Sequence, residues 1–83
     1  MSYTIEWHPK ASKNLSNLPK DLIRNILNKL DQVKENPFRF LEHFERKNVY
    51  KLRIGDYRAL IDVDFENKIL YIQIFDKRGR VYR

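Results

Sequence analysis

The run Tyr50-Lys51-Leu52-Arg53-Ile54-Gly55-Asp56-Tyr57-Arg58-Ala59-Leu60-Ile61 decides the fold. Two alternating segments flank Gly55-Asp56, and a two-residue Gly-Asp connection between such segments reads as a tight hairpin. With that turn, Ile54 pairs with Tyr57, Arg53 with Arg58, Leu52 with Ala59 and Lys51 with Leu60. Side chains alternate faces along a strand, so Tyr50, Leu52, Ile54, Tyr57, Ala59 and Ile61 share one face. Lys51, Arg53 and Arg58 share the other. Like charges set directly opposite each other on a sheet are destabilising, so this second face invites an anion.

Downstream, Ile69 to Phe75 alternates again, and Glu66-Asn67 supplies a turn before it. That turn pairs Asp64 with Ile69, Val63 with Leu70, Ile61 with Ile72 and Ala59 with Ile74. On the cationic side it sets Arg58 against Phe75, Leu60 against Gln73 and Asp62 against Tyr71. Upstream, Ser2 to Trp7 alternates as a short strand that His8-Pro9 ends. Lys10 to Leu18 carries Ala11, Leu15 and Leu18 at helical spacing. Pro19 separates this helix from a longer one, in which Leu22, Ile23, Ile26, Leu27, Leu30 and Val33 form one apolar stripe and Asp21 lies in the first turn. Asn36-Pro37 stops it. Residues 38–48 have no period and read as an ordered loop with a strand start, in which Phe38, Phe40 and Phe44 pack the helices onto the sheet. The order β-α-α-β-β-β predicts an α+β fold, with a helical pair on one face of a mainly antiparallel sheet.

The 83 residues make room for one domain, 1–83, with a small core. A hydrophobic content of 42% is too high for a disordered tail. The absence of Cys excludes disulfides, thiolate metal sites and a Cys nucleophile. No His, Asp or Glu spacing suggests a metal, and no cofactor is expected. No apolar run reaches membrane-spanning length, so a cytoplasmic protein is expected. Seventeen Lys and Arg against eleven Asp and Glu leave a net charge of +6. That balance points to nucleic acid or to an acidic protein partner.

The combination Lys51-x-Arg53, Gly55-x-Tyr57-Arg58 and Arg78-x-x-x-Tyr82, behind an aromatic first strand and two helices, resembles the RelE family of toxin–antitoxin ribonucleases. The likeness covers nearly the whole chain. It departs where many members carry His before the C-terminal arginine and this chain has Lys77. The resemblance implies arrest of translation by cleavage of messenger RNA in the ribosomal A site, and neutralisation by a RelB-like antitoxin.

It also implies a catalytic set of Lys51, Arg53, Arg58, Arg78 and Tyr82. Metal-free RNA cleavage uses the neighbouring 2′-hydroxyl as nucleophile and needs a proton acceptor, a proton donor and cations around the phosphate. Lys51 is the expected activator of that hydroxyl, its pKa pushed down by two nearby arginines, against the plainer reading of a solvated strand lysine. Arg53 and Arg58 are expected to fork onto phosphate oxygens, or else to pair with Asp62 or Glu45. Arg78 is the family's candidate donor to the departing oxygen; since arginine does not deprotonate in proteins, electrostatic work is expected from it. Tyr82 carries the proton, stacks on a base, or covers the sheet edge. Arg46, Lys47, Lys77 and Arg80 extend the basic surface toward RNA. His8 reads as structural and His43 as a surface residue. The rival readings are a ParE-like toxin acting on DNA gyrase and a non-catalytic RNA-binding module.

Overall fold

The computed structural model describes residues 2–44 and 48–77. Along the chain it runs β1 (Thr4–Trp7), α1 (Pro9–Ser16), α2 (Lys20–Glu35), a 3₁₀ turn (Pro37–Arg39), β2 (Glu42–His43), β3 (Val49–Ile54), β4 (Tyr57–Asp64) and β5 (Ile69–Lys77). One sheet takes them in the order β1-β5-β4-β3-β2. Among the described residues only the β1–β5 pairing is parallel. The fold is α+β, as the element pattern implies.

Local chemistry accounts for the helix boundaries. Pro9 presets the first turn of α1, and the extended His8 before it caps the helix, its Nδ1 accepting the Lys10 N–H at 3.1 Å. Pro19 stands at the N-cap of α2, its carbonyl accepting the Ile23 N–H at 3.0 Å. Ala11 and Leu15 on α1, with Ile26, Leu30 and Val33 on α2, are buried against one face of the sheet. Leu27 belongs to the expected apolar stripe but stays 43% exposed. At about 100° per residue it lies a quarter-turn from Ile26, on the flank of the helix. There it borders a groove lined by Tyr3 and by Ile5 and Trp7 of β1.

Gly55 and Asp56 close the β3–β4 hairpin in the expected register, from Ile54 opposite Tyr57 to Tyr50 opposite Ile61. Gly55 has φ +58°. A Cβ there would meet nothing within 4 Å, so the turn needs glycine for its backbone and not for space. Strand β4 then alternates buried and half-buried along its whole length. Leu52, Ala59, Ile61, Val63, Leu70, Ile72 and Phe75 point toward the helices and are each at most 3% exposed.

The β4–β5 register differs from expectation in its second half. Asp64–Ile69, Val63–Leu70, Asp62–Tyr71 and Ile61–Ile72 pair as expected, but Leu60 then meets Ile74, Ala59 meets Phe75 and Arg58 meets Asp76. The shift between Leu60 and Ile61 is a bulge that leaves Gln73 as the extra residue. Its cause is legible in the burial. Phe75 packs edge-on to Trp7 at 5.8 Å and stacks on Tyr57 at 5.4 Å, with 2% of its surface exposed. Ile72 and Phe75 are three residues apart, and both reach the core only if one residue is bulged out between them.

The segment after α2 also differs. Pro37 and Leu41 are the buried residues there, while Phe38, 46% exposed, stacks on Phe65 at 5.5 Å and lies edge-on to Tyr50 of β3 at 5.5 Å. Phe40 is half-buried beneath the Lys29 ammonium, 4.2 Å from the ring centroid.

Candidate anion-binding face

The helices cover one side of the sheet, and the other side carries the cations. Alternation along β3 sends Lys51 and Arg53 to this open face, and the hairpin register sets Arg53 directly across from Arg58. Such a like-charge pair costs stability unless the charges part or share an anion. Both happen here. Arg58 turns back over the hairpin, its Nη1 donating to the carbonyls of Gly55 and Tyr57, each at 2.8 Å. Arg53 turns the other way, its Nε lying 3.7 Å from Glu42 Oε1.

Glu42 is the residue that reading the sequence missed. Strand β2 places it across from Lys51, and its second oxygen, Oε2, lies 3.6 Å from Lys51 Nζ. One carboxylate therefore stands between the two strand cations. The intramolecular partners expected for the arginines were Asp62 and Glu45. Glu45 lies outside the described residues. Asp62 faces Val49 and Tyr71, four residues along β4 from Arg58 or about 13 Å of strand. A two-residue strand shows no periodicity, which is why Glu42 went unnoticed. The only available signal was an acid in the aperiodic segment just ahead of a basic strand.

At its far end the open face turns acidic. Asp62, Asp64 and Glu66, with Asn48, Phe65 and Tyr71, line a concavity of about 540 Å³. Asp64 accepts the Asn67 backbone N–H at 3.0 Å and its side-chain amide at 2.9 Å. Those bonds, the backbone one foremost, hold its carboxyl below the ordinary value.

Of the expected catalytic set, the structure brings Lys51, Arg53 and Arg58 to one face. Arg78 and Tyr82 lie outside the described residues, as do Arg46, Lys47 and Arg80. Lys77 is exposed at the end of β5. Past the bulge it pairs with Tyr57 and shares the helix side of the sheet, lining a cleft of about 410 Å³ with Leu22, Asn25 and Ile54. It does not extend the Lys51 surface. His8 serves as a helix cap. His43 lies edge-on to Tyr50 at 5.3 Å, on the opposite side of the sheet from Lys51. Five cations (Arg46, Lys47, Arg78, Arg80 and Arg83) against the single acid Glu45 fall in the two segments 45–47 and 78–83, so most of the net +6 belongs to them.

Comparison with known proteins agrees on the fold. A family model described as the ParE toxin of the type II toxin-antitoxin system, parDE, matches residues 5–82. A curated relative from Methanocaldococcus jannaschii that bears the name RelE1 is 27% identical over 89 aligned residues, covering 100% of this chain and 98% of the relative. The archaeal RelE-RelB complex from Pyrococcus horikoshii OT3 contains a chain similar to this one. It shares 30% identity and a TM-score of 0.82, over 96% of this chain and 99% of that one. A chain of the toxin-antitoxin complex RelBE2 from Mycobacterium tuberculosis also reaches a TM-score of 0.82, at 23% identity over 94% of this chain and 100% of that one. At that identity the likeness is one of fold.

Proposed function

The chain belongs to the RelE/ParE family of type II toxin–antitoxin toxins, and from that membership we propose that it is a ribosome-dependent endoribonuclease held in check by a RelB-like antitoxin. The observation that carries this reading is the pair Lys51 and Arg53, side by side on the sheet face that the helices leave uncovered. The similar Pyrococcus chain forms a RelE-RelB complex, which supports a heteromeric toxin–antitoxin assembly for this chain as well. The antitoxin would be short, acidic and largely helical, complementary to a chain of net charge +6. A cytoplasmic location follows from the ribosomal target.

In the proposed reaction the 2′-oxygen attacks the adjacent phosphorus, the P–O5′ bond breaks, and a cyclic phosphate and a free 5′-hydroxyl result. Lys51, once its ammonium has given a proton to solvent, takes the hydroxyl proton as the free amine. Arg53 offsets the charge gathering on the phosphate oxygens, and Arg58 does so with donors not spent on the hairpin turn. Arg78 acts electrostatically at the leaving oxygen, and Tyr82 or a water returns the proton. Arg46, Lys47 and Arg80 contact RNA backbone; Lys77 can do so only from the helix side.

The test is to incubate the purified chain with translating ribosomes and map new messenger RNA 5′-ends. Cleavage clustered at the A site is expected, and Lys51→Ala should reduce it about 10²-fold or more. A pH–rate profile left intact by that substitution would remove Lys51 from its role. The description of the matched family model favours a second reading, a ParE-like toxin directed at DNA gyrase. Gyrase-dependent DNA breaks without new RNA ends would establish that reading, and ribosome binding without either would leave a non-catalytic RNA-binding module.

A further inference from the structure

We propose that Lys51 and Arg53 frame the seat of a single RNA phosphate, and that Glu42 is its resident competitor, a built-in anion that an incoming phosphate displaces. The proposal rests on the reading of the open face as an RNA surface, and deepens it by saying where one phosphate sits and what it must evict.

Geometry marks the seat. The two oxygens of Glu42 address two different cations, Oε2 toward Lys51 Nζ at 3.6 Å and Oε1 toward Arg53 Nε at 3.7 Å. That is the footprint the two non-bridging oxygens of a phosphodiester would leave. Both separations exceed the roughly 2.7–2.9 Å of a charge-assisted hydrogen bond. The carboxylate is therefore held by the field of two cations and not by directional bonds. A phosphate can shorten both contacts where Glu42 has not.

The competitor is also built to leave. Its backbone is anchored by the β2–β3 ladder and by Leu41 beside it, 8% exposed. Its side chain is 53% exposed, so it can rotate into solvent while the strand stays in place. Of the two cations, Lys51 has the more covered side chain, at 24% exposure against 60% for Arg53. The seat thus has one fixed wall and one mobile wall. Arg58, engaged at the hairpin turn, is not part of it.

Breaking two exposed ion pairs of ordinary strength weakens ligand binding about 2- to 30-fold. Glu42→Gln, which keeps the shape and removes the charge, should therefore bind RNA tighter by that factor. The probe is a single-stranded 2′-O-methyl oligonucleotide, which cannot be cleaved, followed by fluorescence anisotropy at about 50 mM and 200 mM salt. The gain should shrink at the higher salt. Glu42→Asp, which keeps the charge but shortens the reach, should fall between wild type and Glu42→Gln. Lys51→Ala and Arg53→Ala should each weaken binding.

If both alanine variants weaken binding and Glu42→Gln leaves it unchanged, the RNA face stands and the competitor is refuted. Weaker binding by Glu42→Gln, or cleavage lost at unchanged affinity, also overturns the proposal, because Glu42 would then be organising the site or acting in the chemistry. If none of the substitutions moves the affinity, the open face seats no phosphate of free RNA and this proposal falls, while the ribosome-dependent reading stands or falls separately on whether Lys51→Ala reduces A-site cleavage.

Discussion

The bulge at Gln73 makes a prediction that separates two neighbouring residues. In an unbroken ladder Ile74 would face the helices and Phe75 the cations; in the structure Phe75 is 2% exposed and Ile74 is 41% exposed. Phe75→Ala removes a ring that touches Trp7 and Tyr57, and truncations of this kind cost about 3–5 kcal/mol. Ile74→Ala removes a side chain still well exposed to water, and transfer of its buried part alone gives about 1 kcal/mol. For a domain of this size the denaturant slope is about 1 kcal/mol per molar urea. The urea midpoint should therefore fall by about 3 M or more for Phe75→Ala and by about 1 M for Ile74→Ala. Total stability at this length is about 4–12 kcal/mol, so at the lower end of that range Phe75→Ala unfolds the chain. A conservative Phe75→Leu, expected between the two, keeps the comparison measurable. Equal midpoints for the two alanine variants, or a larger loss at Ile74, would refute the register and the argument that core packing drives it.

Two further perturbations follow from the loops. Asp64 has its carboxyl depressed below the ordinary 3.8 by the Asn67 donors, so its contribution to stability is full above that value and is lost as pH falls through the depressed one. Nuclear magnetic resonance titration should find it lower in the folded chain than in a Gly-Asp-Gly peptide, and Asn67→Ala, which removes the side-chain donor but keeps the stronger backbone one, should raise it only part of the way. Arg58→Lys keeps the charge but loses the fork across Gly55 and Tyr57, and should cost about 1 kcal/mol in thermal unfolding; a fully retained midpoint would mean that the turn holds without the clamp.

Legibility in the sequence followed the range of the interaction. The β3–β4 hairpin could be read because its turn is two residues long and needs positive φ at its first position, which Gly55 meets. The first half of β4–β5 could be read because each core-facing residue met an aliphatic one. Past Ile72 the alternation gives way to a spacing of three before Phe75, and only the packing partner Trp7, far off in the chain, shows why the break falls there. The edge position of β1 and the carboxylate of Glu42 depend on which strands become neighbours. No local pattern carries that information. Lys51, Arg53 and Arg58 were legible as a cluster from alternation alone, but the division of labour among them, with Arg58 on the turn and the other two sharing Glu42, was not.

The parallel pairing of β1 with β5 joins Thr4 to Ile69, 65 positions later in the chain. Translation at about 5–20 residues per second delivers that partner about 3–13 s after the first strand emerges. The β3–β4 hairpin needs only microseconds once its residues are out. Until β5 arrives, the amino-terminal strand has no ladder to join, because the strand that links it to β4 does not yet exist. The nascent sheet therefore stays incomplete while the ribosome is still at work, and it closes only once β5 has been made.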